Sequence, residues 1–447
     1  MRRLWYMVVF CVLTAEYEGG TWEGHWSTPW HYVTDILFGA VPGIHIPWYD
    51  VIVLALLVMA RRERGPIAKP IEKAIWTTIG TLLAWALYGA LRGGSVMDMR
   101  LQLHTMIIML LTALMQIKLL HKHEHYRLLG VTIVYAALFR FAMMFTFYIT
   151  VMRSLTVPVA TVTDHGDSML FVTAIVAAIA NAIHKRTRKS TWQAGGITLL
   201  MIWCIQINNR RLAYVSLAAA IIIIVILLWT GDFRRKLLRV AMKVVPLLLV
   251  YVAIGWSHPT GIFKPIASLQ SVGDAKDPST ESRIVENIGL VTTLQENPLS
   301  GTGFGHKYTE VSADFSRGFA ETFPQYRYIP HNSVLGLVAF TGAIGFAALW
   351  MIFPITAFFA ARSYQYAKLP IDKTLSMVAL CEVAIHTNQM WGDIGTLAIP
   401  GMVLISGAIA VAARVPIFTA AWSTGQSKSR RGNSKVASPT TSNPAAR

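Results

Sequence analysis

The chain has 447 residues, 54% hydrophobic and 14% charged, with mean hydropathy +0.47 and a formal net charge of +17. A soluble globular chain is about 25% charged, so this composition excludes an ordinary soluble domain. It points to an all-α integral membrane protein, because the apolar runs are long and unalternating. The basic surplus reads as cytoplasmic loops, not as a nucleic-acid surface.

In chain order, Arg2-Arg3 precede a short apolar run, which is expected to form a retained, signal-anchor-like helix. Candidate spans follow at 45–60, 74–91, 103–120, 128–151, 168–184, 192–208, 211–230, 237–255, 332–358, 374–390 and 394–413, about twelve transmembrane helices in all. Every second connection is basic: Arg61 to Lys73, Lys118 to Arg127, Lys185 to Lys189, Arg234 to Lys236, Arg362 to Lys373, and Lys428 to Lys435 in the tail. The positive-inside rule then places both chain ends in the cytoplasm and the long loop outside. The expected organisation is helices over 1–255, an extracytoplasmic loop with short helices over 256–330, helices over 331–421, and a disordered cytoplasmic tail over 422–447 that is rich in Ser, Thr, Pro, Asn and Lys.

Several residues stand out against this order. Cys11, Cys204 and Cys381 all lie in apolar segments and form no CxxC pattern. His121, His123 and His125 alternate at a helix end, a spacing that scatters their rings instead of gathering them on a metal. Arg140 lies near mid-span, where it pairs with a carboxylate or lines a polar cavity. Arg210-Arg211 breaks the charge rule by falling at an outer end, so it is either a snorkelling pair or an anion site.

The one long polar interruption runs from Asp277 to Gly345. Asp277-Pro278 reads as an N-cap and first helical residue. Ile284, Ile288 and Val291 recur at helical spacing, so 278–297 is predicted to be an amphipathic helix with Arg283, Glu286 and Asn287 on one face. Pro298 ends it. Gly301, Gly303 and Gly305 follow, suited either to close packing or to cradling an anion. His331-Asn332 then opens the next apolar run.

His331 is the best candidate for catalysis. At the membrane–water boundary a neutral imidazole can take a proton from an attacking hydroxyl. Arg210, Arg211 and Arg283 can supply what a base cannot, since guanidinium forks match phosphate geometry and stabilise a diphosphate leaving group without a metal. No metal or cofactor motif is present, and none is expected.

The residues His331, Asn332, Gly342 and Gly345, spaced as HN, nine residues, G, two residues, G, resemble the signature of the O-antigen ligase family. The preceding Glu296–Gly305, ENPLSGTGFG, is similar to that family's NPL-G-G-G segment, and NNRRLAYVSL more loosely resembles its Arg-containing helix start. The similarity covers about residues 195–350. It implies a metal-independent membrane glycosyltransferase of the bacterial inner membrane, multi-pass, with its active site facing the periplasm. The implied donor is an undecaprenyl-diphosphate-linked glycan and the implied acceptor is the lipid A core, or another repeat unit in the related polymerases. His331 would be the base or acceptor-orienting residue, and Arg210, Arg211 and Arg283 would hold the diphosphate. Asn332, the three glycines, Arg327 and Asp393 would support the site. Phe315, Phe319, Phe323, Tyr326 and Tyr328, with Lys307, Arg317 and Arg327, form a candidate acceptor surface. A transporter is the main alternative of another class, and a non-catalytic scaffold is the third; the single long loop late in the chain argues against two equivalent transporter halves.

Overall fold

The computed structural model describes residues 1–15, 28, 30–42, 46–63, 65–156, 162–163, 165–258, 263, 266, 278–311, 324–393, 395 and 398–422. The Asp277 cap, the loop segment 312–323 with Asp314, Phe315, Arg317, Phe319 and Phe323, and the tail 423–447 lie outside the described residues.

The described residues form an α-helical membrane bundle without a β-sheet; the one β-bridge, Ala40 to Pro47, is isolated. The helices are α1 (Arg2–Thr14), α2 (His31–Phe38), α3 (Trp48–Met59), α4 (Lys69–Leu91), α5 (Val96–Leu119), α6 (His123–Thr150), α7 (His165–Lys185), α8 (Arg188–Asn208), α9 (Arg211–Leu227), α10 (Gly231–Ser257), α11 (Pro278–Glu296), α12 (Ser333–Trp350), α13 (Ile352–Tyr366), α14 (Pro370–Gly392) and α15 (Ile399–Phe418). Among the described residues six segments are long and apolar enough to cross a bilayer: Lys69–Leu91, Val96–Leu119, His123–Ser154, Gly166–Lys185, Ser333–Tyr366 and Ile399–Phe418. The N-terminal apolar run is a helix whose Trp5, Val9 and Val12 are fully buried in the bundle.

Several predicted segments differ from the structure: α4, α5 and α6 begin at Lys69, Val96 and His123, where 74, 103 and 128 were expected, and two further segments differ more. The run expected as one helix over 332–358 is two helices, and α12 itself is interrupted at Gly342, where φ is +62° and ψ −174°. A Cβ at Gly342 would lie 2.3 Å from the carbonyl carbon of Leu299, so the chain bends to admit the loop. The last helix runs Ile399–Phe418 instead of 394–413, because Pro400 seats its first turn.

Helix α14 lies at the centre, packed against α7, α9, α13 and α15. One end of the bundle is the basic end. There the buried Arg414 donates to the carbonyls of Ile117 (2.6 and 2.9 Å) and Pro66 (2.9 Å), and Arg2 joins Glu63 (3.1 Å) and the Leu119 carbonyl (2.9 Å). Of the three histidines of this end only His123 turns away; His121 and His125 lie edge to face, their ring centroids 6.5 Å apart, where their alternation had predicted that all three would scatter. His121 meets Glu63, His123 meets Asp372, and the His125 ring accepts the His121 amide. The hydrogen bond from His121, joined by Arg2, holds the Glu63 carboxyl below its ordinary value. Deep in the bundle Arg140 forms a forked, buried pair with Asp167 of α7, the carboxylate partner that was one of its two sequence readings.

Candidate active site

At the opposite end, α11 brings its polar face to the bundle. Glu286, Gly289, Leu290 and Thr293 are buried, whereas Ile284, Ile288 and Val291, the apolar stripe that predicted the helix, are exposed. The helix is as expected, and the structure adds which of its faces turns inward. In a membrane protein an apolar stripe can face hydrocarbon, while a carboxylate must find partners within the protein.

Glu286, only 4% exposed, uses both oxygens. One accepts from His331 Nδ1 at 2.9 Å and the other from the Asn332 backbone N–H at 3.1 Å. Asn332 reaches back to the same helix, its Nδ2 donating to Asn287 Oδ1 at 3.3 Å. Its own Oδ1 accepts from Leu335 N at 3.0 Å and caps α12. The histidine–asparagine pair is thus the start of a capped helix pinned across to one turn of α11. A carboxylate on Nδ1 selects the tautomer whose Nε2 carries the lone pair. Arg283 is exposed, one turn before Glu286 on the same helix.

The Arg210-Arg211 turn is built by the end of α8. Asn209 takes the left-handed conformation (φ +53°), Arg210 caps α9, and the fully buried Asn208 accepts from Val162 N and Thr163 N at 3.1 and 2.8 Å. The C-terminal end of α14 links this turn to His331. Asn388 Nδ2 donates to Leu212 O (3.4 Å) and Ser216 Oγ (2.7 Å), and a Cβ on Gly392 would lie 2.7 Å from Leu212. Next in sequence, the buried Asp393 offers its carbonyl to Ser333 Oγ at 3.5 Å. Arg210-Arg211, Asp393, His331 and Arg283 therefore share one end of the bundle, with α14 as the bridge.

Two other sets of sequence candidates are engaged in contacts of their own. The Arg327 guanidinium donates to Glu310 at 2.5 Å and to Tyr326 Oη at 3.3 Å, contacts that raise its proton affinity above the usual arginine value. Tyr308, beneath α11, has its hydroxyl pushed up chiefly by burial and then by Glu286. The glycine turn has φ of +66°, +85° and +88° at Gly301, Gly303 and Gly305. Their three amides donate to Asn297 O (2.8 Å), Phe340 O (2.8 Å) and Gln102 Oε1 (2.6 Å). With all three engaged, the turn packs the loop against α4, α5 and the bend in α12, and presents no anion cradle from these amides.

Glu286 is the residue whose role sequence reasoning missed. Its signal was its place on the same face as Arg283 and Asn287, but only the tertiary fold shows that this face meets His331. Among the described residues no three His, Cys, Asp or Glu side chains gather as a metal site. No curated protein matches the chain. Residues 196–350, from α8 through the arginine turn, α11, the glycine turn and His331 to the end of α12, match the family model described as O-antigen ligase.

Proposed function

We propose that the chain is a metal-independent membrane glycosyltransferase that moves a glycan from an undecaprenyl-diphosphate carrier to a sugar hydroxyl, most simply as an O-antigen ligase acting on a lipid A core. The single observation that carries this reading is the Glu286 carboxylate on His331 Nδ1, at 2.9 Å, within the segment that matches the family. Nε2 of a ring so oriented takes the proton of the acceptor hydroxyl. The acceptor oxygen then bonds to the anomeric carbon, the bond from that carbon to the diphosphate oxygen breaks, and its electron pair leaves with the diphosphate. Arg210, Arg211 and Arg283 stabilise the charge on that leaving group. Asn332 and Asp393 hold the segments that carry these groups, and the bundle end with His331 faces the periplasm of the inner membrane.

The test is reconstitution of the purified chain in proteoliposomes with lipid-linked glycan and lipid A core, followed by product mass. A glycosylated core and free undecaprenyl diphosphate are expected, unchanged by a chelator. Glycan crossing the membrane without transfer would replace the reading with a transporter. Elongated lipid-linked glycan without core modification would make the protein a polymerase with the same site chemistry.

A further inference from the structure

A second recess lies away from His331, toward the basic end. It is a cavity of about 670 Å³ between α6, α7, α8 and α14, within the range of about 300–1,000 Å³ typical of small-molecule sites. Its walls divide by depth. Val134, Leu138, Ile197 and Val378 make one part apolar, while Arg127, Lys185, Asn181 and Gln193 line the part nearest the basic connections. The side toward the bilayer is open, with Val131 and Tyr135 38% and 61% exposed. Trp192, 71% exposed, stands beside it on α8, a residue type that favours the headgroup level.

The charge around the rim is lopsided. Arg127 from the start of α6 and Lys185 from the end of α7 line it, and Arg186, Arg188 and Lys189 follow in the α7–α8 connection. The acids facing them are Glu124, paired with Arg127 at 2.5 Å, and Asp372, buried against His123. An apolar slot open to the acyl region beneath a rim where cations outnumber acids fits one chemistry: an acyl chain below and an anionic headgroup above.

We propose that this recess binds an anionic diacyl phospholipid of the cytoplasmic leaflet, its phosphate between Arg127 and Lys185 and one acyl chain along Val134, Leu138 and Val378. The site is independent of glycan transfer, since it uses none of the residues at His331.

The experiment is native mass spectrometry of the full-length chain in detergent, titrated with phosphatidylglycerol and, separately, with phosphatidylcholine of the same acyl chains. Wild type is expected to retain phosphatidylglycerol in preference by about tenfold or more. Arg127→Gln with Lys185→Gln should erase that preference; Arg127 is exposed and Lys185 likewise, so the fold should survive. Gly130→Trp fills the slot from a position where an added Cβ meets no atom within 4 Å, and should reduce retention of both lipids at an unchanged melting temperature. Equal retention of the two lipids by wild type, preference for a polyisoprenyl phosphate over phosphatidylglycerol, or binding indifferent to the substitutions would each overturn the proposal.

Discussion

His331 and Glu286 are 45 positions apart and act as one unit if the carboxylate's role is to orient the ring. His331→Ala is expected to lower transfer by a factor of about 10² to 10⁴, the usual cost of losing a general base. Glu286→Gln should also lower it, because the NH2 that replaces one carboxylate oxygen is a donor and would face either His331 Nδ1–H or the Asn332 N–H, each of which needs an acceptor. The decisive measurement is the double variant. If Glu286 works through His331, then His331→Ala with Glu286→Gln is no slower than His331→Ala alone; additive losses would assign Glu286 a separate role. Arg283→Lys should be nearly as damaging as Arg283→Ala, since lysine keeps charge but loses the planar fork. Full rescue by lysine would reduce Arg283 to a local positive charge.

At the scale of elements, the glycine turn and the bend in α12 interlock, backbone against backbone. An added Cβ would lie 2.3 Å from Leu299 C at Gly342, 2.4 Å from Phe340 C at Gly301 and 2.4 Å from Gly89 Cα at Gly303, all at positive φ. Gly342→Ala is therefore expected to lower the melting temperature and the folded yield, beyond the roughly 1–3 kcal/mol of a positive-φ, extended-ψ backbone that only glycine readily adopts. Gly80→Ala in α4, where a Cβ meets nothing within 4 Å, should leave stability unchanged or slightly raised. Comparing the two by thermal unfolding separates close packing from a general need for glycine in these helices. The α6–α7 pair makes a parallel case: Arg140→Leu leaves Asp167 buried without its fork and should cost about 3–5 kcal/mol, much of it recovered by adding Asp167→Leu.

For the whole molecule, the orientation proposed here puts the loop that carries Thr309 and Val311 outside. A cysteine at Val311, 44% exposed, in a background without Cys11, Cys204 and Cys381, should react with an impermeant thiol reagent in spheroplasts. Labelling only after lysis would reverse the orientation and remove the reading of the Arg210-Arg211 turn. The basic end has its own signature. Because the folded state lowers the Glu63 pKa, chiefly through His121, the stability this carboxylate contributes is present above its ordinary value of 4.5 and lost as pH falls through the lowered one. The melting temperatures of wild type and Glu63→Gln should therefore converge as pH drops below about 4.5; a gap that persists there would assign the difference to packing.

The helical membrane class was determined by sequence alone, because a long apolar run must satisfy its backbone internally and only a helix does so within one segment. Helix α11 was equally legible, since Pro278 and the Ile284, Ile288, Val291 spacing are local signals. Which face of α11 turns inward was not, because periodicity reports that a helix has two faces and not which medium each one meets. The glycines left packing and anion binding open until the structure showed where their amides go. Arg140 found Asp167, and His331 found Glu286, across distances in sequence that no spacing rule spans. Such partners are chosen by how helices stack, and a buried carboxylate takes whatever donor that stacking places within about 3 Å.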